Sequence, residues 1–414
     1  MSENSNTSEE IVITGMGVVS PVGRDESGFW TALREGQSGA APITSLDTTE
    51  LTRTIACEVK GELNDPYFEG FNGSGPLLGR ASRLGVVAAR QAVNDAGLQP
   101  GNLTDARTHV FAGTTMGETQ FIEDSLSAED GDWLSPEHLD QIACGMPGAI
   151  ADHIAFALGA DHWKTPHRRH DIYGACAAGN LALHAARRSL LADECDIAIA
   201  GGSDGFSRLA FIGFMRLRVM AEAVCRPFDR DRDGLFVGEG AAFFVLERAS
   251  QAKARAVRTR ARLLGAALSC EDYHPTRPQP EGDGLSRATL ASLAQAGVSP
   301  NDIDYVCAHG TGTPQNDMIE VKVMEKCFPQ GVAFSSVKAL TGHTMGAAAA
   351  VEAACCVLSL ENQVMIPTWT LENPLEPCDL DPIMGSPREA TVRHVVNNSA
   401  GFGGYNSSLV LGAA

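Results

Sequence analysis

Positive charge is in short supply in this chain. Its 414 residues carry 32 Lys and Arg against 51 Asp and Glu, a formal net charge of -19 at pH 7. Such a field repels phosphate, which excludes a general nucleic-acid or anionic-membrane binder and leaves an acidic partner dependent on a local basic patch. Regular cysteine spacing is also missing. The eleven cysteines form no CxxC pair, and an odd, irregular set makes no disulfide framework, so a reducing cytoplasm is the expected compartment. The start, MSENSNTSEE, has no apolar core and so lacks the form of a signal peptide; residues 1–10 are expected to be a disordered tail. No apolar run reaches the roughly 20 residues a membrane span requires: the most apolar late stretch, GAAAAVEAACCVLSL, is broken by Glu352. No low-complexity linker divides the chain into independent modules.

What the chain does have is a recurring short β-branched run that ends in glycine. IVITGMG, THVFAGTTMG, CDIAIAGGSDG, YVCAHGTGT and HVVNNSAGFGG each read as a buried strand delivering a tight turn. Helical patterns lie between them, such as RASRLGVVAARQAVNDAG and GLSRATLASLAQAG, with Gly97 and Gly297 as C-terminal stops. Alternation of this kind predicts an α/β fold with largely buried sheets. A faint internal echo links ACAAGNLALHAARRSL to GHTMGAAAAVEAACCVL, and suggests duplicated halves. Residues 118–170, acidic and then rich in His and Arg, read as an inserted surface or interface segment.

Three residues carry candidate chemistry. Cys176, in DIYGACAAGN, stands at a strand end where a helix begins among alanines. A buried cysteine is commonly only a small hydrophobe. Here the helix start aims unpaired N–H groups and a positive dipole end at the sulfur, an arrangement expected to favour thiolate and to hold an oxyanion. His309, in CAHGTGTPQND, and His343, in SVKALTGHTMG, occupy glycine-flanked strand ends, where neutral imidazoles can donate hydrogen bonds to a forming enolate. The alternative for each is a satisfied structural histidine. Lys338 adds charge to the site or pairs with Glu352; the alternative is a solvated surface lysine, against which stand its apolar neighbours Val337, Ala339 and Leu340.

Two other patterns carry less. GGSDG fits G-x-S-x-G and so offers Ser203 as a hydrolase nucleophile, but the best histidines already belong to another constellation. DRDRDGLFVGEG begins like a calcium loop, yet Gly240 fills the twelfth position where a bidentate acid is required, so it reads as a structural turn and no metal is expected.

Taken in order, VITGMGVVSPVG, ACAAG, RPFDRDRDGLFVGEGAAFFVLE, HGTGTPQND, SVKALTGHTMGAAAAVEA and NNSAGFGGYNSSLVLG run almost end to end. With them the chain resembles a β-ketoacyl-acyl carrier protein synthase of the elongating ketosynthase II branch of the thiolase superfamily. The resemblance implies a thiolase-like duplicated α-β-α-β-α layered fold. Residues 11–255 would form the half carrying the nucleophile and 256–414 the half carrying the two histidines. It implies an acyltransferase with no bound cofactor, whose substrates ride on the phosphopantetheine of an acyl carrier protein, and a homodimer or ketosynthase heterodimer. By resemblance Cys176 is the acyl acceptor, His309 and His343 promote decarboxylation, Lys338 is the motif lysine and Glu352 its buried companion. Thr311 and Thr313 would contact the pantetheine arm. Phe402 would gate the site, its backbone N–H sharing the oxyanion hole with that of Cys176. Arg216 and Arg218 are candidates for carrier docking.

The chain departs from the family at Ala400, where a phenylalanine is common, at Tyr405 in place of a threonine, and at Tyr173 and Gly174 before the nucleophile. A missing ring at Ala400 is expected to widen the pocket, which points to polyketide-type metabolism over routine fatty-acid synthesis. The expected reaction is decarboxylative condensation of a Cys-bound acyl chain with a malonyl-carrier thioester. The alternatives are cyclisation or transfer of the bound chain without extension, and a non-catalytic partner subunit, which the retained Cys176, His309 and His343 argue against.

Overall fold

A computed structural model describes residues 9–71, 78–126, 135, 139, 148–164, 167–376 and 378–414. Most of the expected N-terminal tail, and residues 127–147 of the expected insertion apart from 135 and 139, lie outside the described residues. Eleven strands among the described residues join one sheet. In chain order they are β1 (Ile11–Val19), β2 (Thr108–Thr114), β3 (Arg169–Tyr173), β4 (Ile197–Asp204), β5 (Gly240–Arg248), β6 (Ala261–Cys270), β7 (Tyr305–Cys307), β8 (Ala333–Ser335), β9 (Asp381–Pro382), β10 (His394–Gly401) and β11 (Tyr405–Ala413).

Across the sheet the order is β9-β8-β7-β10-β11-β6-β1-β5-β4-β2-β3. The first five strands are therefore arranged first, fifth, fourth, second, third, and β6, β7, β8, β10 and β11 repeat that arrangement, with the short β9 added at the edge beside β8. Directions repeat as well: β2 runs parallel to β3 and β4, as β7 does to β8 and β10, while β1–β5–β4 and β6–β11–β10 are antiparallel. The halves meet in a short antiparallel seam, Val12 opposite Arg262 and Ile13 opposite Ala261. The faint sequence echo is thus a real duplication of topology, a thiolase-like layered α/β fold.

Helices α1 (Arg80–Asp95) and α4 (Asp283–Ala296) cover corresponding outer faces, α1 on β1 and α4 on β6. The GMG of β1 lets α1 approach closely: a Cβ at Gly15 or Gly17 would lie 2.1 Å from the carbonyl oxygen of Ala92 or Ala88. Between the two half-sheets lie α2 (Ala178–Leu191) and α6 (Ala348–Asn362). Their small residues permit contact, since a Cβ on Gly179 would stand 2.7 Å from the backbone nitrogen of Ala350. Helix α6 is buried all round from Ala348 to Leu360, the mark of an internal helix. The helical run Met345–Asn362 is long and apolar enough to cross a membrane, but it is buried inside the fold. Each fully buried Val or Leu along it contributes about 1.5–3 kcal/mol.

The reading of 118–170 as a surface insertion is corrected at its end. Ile150, Ala151, Ile154 and Ala155 are fully buried in the same core as α1, because the turn before them is capped by Asp171, which accepts from Gly148, Ile150 and Ala151.

Candidate active site

Each half-sheet delivers one tight elbow into the middle layer. After β3, Ala175 takes a left-handed φ of 47° and a single 3-10 turn leads into α2; after β8, Met345 takes φ 55° and a matching turn leads into α6. Cys176 follows the first strained residue, and His343 precedes the second by two positions. A third turn, after β7, carries His309. Two buried carboxylates of α5 (Pro314–Cys327) shape it: Glu320 accepts from the N–H of His309 (2.5 Å) and Gly310 (2.7 Å), and Asp317 from Thr311 (3.0 Å) and Gly312 (3.1 Å). Burial raises both acids, Glu320 to about 7.

These turns converge. The sulfur of Cys176 and one ring nitrogen each of His309 and His343 lie within 4.8 Å of one another, and the two rings meet edge to face at 5.3 Å. All three side chains are buried. Lys338 lies behind them, 1% exposed, donating to the carbonyl of His309 (2.6 Å), to its Nδ1 (3.2 Å) and to Glu352. Both readings of Lys338 hold together: it pairs with Glu352 and brings its charge to the site. Burial drives Glu352 upward against the pull of Lys338.

The hydrogen bonds decide the tautomers. Met345 donates its N–H to Nδ1 of His343 (3.1 Å), so the proton of that neutral ring is on Nε2. Nδ1 of His309 faces the Lys338 ammonium, which can only donate, and Ser399 Oγ (3.4 Å), whose hydrogen goes to the Cys176 carbonyl (3.1 Å); its proton is likewise on Nε2. Burial and the Lys338 charge hold both imidazoles well below their ordinary value. The spacing of the three donors would suit a thiophilic cation, but the rings present N–H groups, not lone pairs, and the donor set does not fit one.

One expectation is corrected. The helix start was expected to favour thiolate, but burial pushes the Cys176 thiol up to about 12, outweighing the Lys338 charge and the N–H groups of Phe402 and Cys176 that address the sulfur.

A cavity of about 480 Å³ opens onto the three residues. Thr311 and Thr313, whose hydroxyls bond at 2.8 Å, line it, as do Ala400 and Phe402. The Phe402 ring stacks on Phe214 at 5.6 Å, and glycines follow it at φ 79° and 80°. Arg216 and Arg218 are exposed and flank Leu217, itself on the cavity wall, at the end of α3 (Arg208–Leu217).

Ser203 is not a nucleophile: it is fully buried and donates to Ala81 O at 2.7 Å. Asp229, the first acid of the calcium-like loop, is occupied by the N–H groups of Asp231, Glu372 and Asn373. Sequence reasoning missed Ser399, Glu320, Phe214 and Asp204. Asp204 accepts from Thr114 Oγ1 (2.7 Å) and from the N–H groups of Thr115 (2.8 Å), Met116 (2.9 Å) and Gly346 (2.6 Å), tying the second elbow to the first half. A polar residue ending a buried strand, as in GGSD, was the available signal.

Comparison with known proteins agrees with this geometry. Residues 8–252 match the family described as beta-ketoacyl synthase, N-terminal domain, and residues 260–372 its C-terminal domain. The 3-oxoacyl-[acyl-carrier-protein] synthase 2 of Coxiella burnetii is 36% identical, covering 97% of this chain and 98% of that one. Its counterpart from Synechocystis is 32% identical, covering 97% of each. Among solved structures, the ishigamide ketosynthase/chain length factor superposes with a TM-score of 0.91 at 37% identity, over 99% of this chain and 100% of that one. A type II polyketide synthase acyl-carrier protein complex with its hexaketide-bound ketosynthase gives 0.86 at 26% identity, over 99% and 100%.

Proposed function

The chain belongs to the beta-ketoacyl synthase family, and from that membership we propose how its residues divide the labour of condensation. It is a condensing enzyme of the acyltransferase type, joining an acyl chain to a malonyl-derived unit. The half up to residue 255 supplies the nucleophile, and the half from 256 the two histidines.

Cys176 Sγ attacks the carbonyl of an acyl thioester. The oxyanion rests on the N–H groups of Cys176 and Phe402, and the departing pantetheine thiol leaves with the cysteine proton. With a thiol raised to about 12, that proton leaves only as the carbon–sulfur bond forms. A malonyl thioester then loses carbon dioxide. Its electron pair passes into an enolate whose oxygen takes hydrogen bonds from Nε2–H of His309 and His343. The enolate carbon attacks the acyl group on Cys176, and the freed sulfur regains one proton from solvent, leaving a β-ketoacyl thioester. Lys338 holds His309 in the donating tautomer and does not touch substrate.

The observation that carries this reading is two neutral imidazoles, each with its Nδ1 engaged and so its proton on Nε2, and each with a ring nitrogen within 4.8 Å of the Cys176 sulfur. Substrates ride on the phosphopantetheine of an acyl carrier protein, docking beside Arg216 and Arg218, and no further cofactor is required. The protein works in the cytoplasm as a homodimer or beside a chain-length-factor-like subunit. The open wall at Ala400 supports polyketide-type chains. Intact-protein mass tests the assignment: wild type should gain an acyl group from acyl-carrier thioesters, Cys176→Ala should not, and malonyl-carrier protein should then release a product two carbons longer. Release of a cyclised or unextended product would overturn the condensation roles.

A further inference from the structure

The cavity wall is chemically lopsided. One side is apolar, with Phe214, Leu217, Val219 and Leu235; the other comes from the 271–278 segment and the turn after His309. Among the described residues lining it, Arg277 is the one Lys or Arg. In a chain of net charge -19 it is exposed and, among the described residues, makes no ion pair with a carboxylate. The acid on the same wall, Glu271, forms no ion pair with it; its oxygens accept instead from Asn406 Nδ2 (3.0 Å) and Gln279 N–H (2.9 Å). The backbone of Arg277 is fixed: its N–H and that of Thr276 both donate to His274 Nδ1 at 3.1 Å. A guanidinium held on a set turn, unpaired, at the rim of a substrate channel is built to receive an anion.

Resting on the condensing-enzyme reading, we infer that Arg277 is a positioning residue that grips the phosphodiester of the substrate's pantetheine arm and sets the depth to which the thioester enters. The malonyl carboxylate is not its ligand. That group departs as carbon dioxide beside the buried histidines, whereas Arg277 is exposed at the rim. The phosphate stays outside while the arm threads between the apolar wall and Thr311, so the cation reads the carrier arm and not the acyl chain. Charge-assisted contact at the rim acts mainly on binding and leaves the chemical step unchanged.

The test compares acyl-phosphopantetheine with acyl-pantetheine, which lacks the phosphate, as donors to Cys176 in the intact protein, read as the rate of mass gain against donor concentration. Wild type should favour the phosphorylated arm about tenfold or more through the half-saturating concentration, with the maximal rate equal for both. Arg277→Gln should bring the ratio close to one while acyl-pantetheine is used as before, and Arg277→Lys should restore part of the preference. A ratio unchanged in Arg277→Gln, or equal losses on both arms, would overturn the assignment. Failure of wild type to take an acyl group from either donor would instead overturn the condensing reading on which it rests, and this assignment with it. An adequate control is the thermal midpoint of Arg277→Gln, which should equal wild type because the side chain holds no partner among the described residues.

Discussion

The two elbows of this protein have nearly the same backbone and carry different side chains. Tyr173-Gly174-Ala175-Cys176 and His343-Thr344-Met345-Gly346 each place a non-glycine residue at φ near 50° before a helix of the middle layer. In the first, the residue after the strained one bears the sulfur. In the second that position is Gly346, whose N–H is held by Asp204, and the chemistry has moved to His343, three residues back. Duplication supplied two equivalent turns facing one another; a three-residue shift in side-chain placement gave one a cysteine, the proposed nucleophile, and the other a histidine, the proposed hydrogen-bond donor.

The sharpest way to break the comparison is to remove each chemical group in turn. Cys176→Ala should abolish acylation and lower condensation by about 10⁴-fold or more, by intact mass and product formation. His343→Ala should leave Cys176 open to acylation but slow release of the extended product by about 10²–10³-fold. If both variants fail at the same step, the division of labour between the elbows is wrong.

Backbone strain separates the elbows next. Met345 packs into the cluster of Phe206, Phe211 and Val237, whereas Ala175 has no side chain to lose beyond its Cβ. Met345→Gly should therefore destabilise by about 2–4 kcal/mol in urea unfolding. Ala175→Gly should stay within about 1 kcal/mol of wild type, since relief of the left-handed φ offsets the extra freedom of the unfolded chain. Equal losses would mean that the first elbow carries packing the structure does not show.

The smallest effect is in pH. His309 and His343 stay neutral in the folded state well below 6.5, while their unfolded counterparts take up protons, so each removes about 1.4 kcal/mol of stability per unit as pH falls below 6.5. Glu320, raised to about 7, and Asp204, raised to about 6, have the opposite sign: they ionise later in the fold than in the unfolded chain, and cost stability as pH rises through that range. His343→Gln should remove about one histidine's share of the acid slope between about pH 5 and 6.5, measured by urea unfolding at several pH values. An unchanged slope would mean that the His343 ring is protonated in the fold.

Much of the site was legible because its groups sit in local motifs. GACAAG and AHGTGT announce tight turns at strand ends, and the small residues that permit them are neighbours in the chain. Lys338 and Glu352 were also readable as a pair, 14 residues apart. Ser399 and Asp204 were not, since their partners are 223 and up to 142 residues away and nothing local marks which polar strand residue meets which turn. The helix-start N–H groups do favour thiolate at Cys176, but the larger, opposing contribution of burial was not legible, for a related reason. A helix start is a local feature, but burial depends on everything packed around the sulfur.

The sequence by itself determined the alternation of strand and helix, the strand-end glycines, and the identity of the three groups that meet at the cavity, because each follows from spacing along the chain. Only the tertiary structure decided that the two halves share one sheet order, that the histidines donate through Nε2, that the thiol is held protonated, and that Arg277 stands unpaired on the cavity wall. Those are outcomes of which distant groups exclude water from one another, and desolvation and hydrogen-bond direction are set by three-dimensional neighbours.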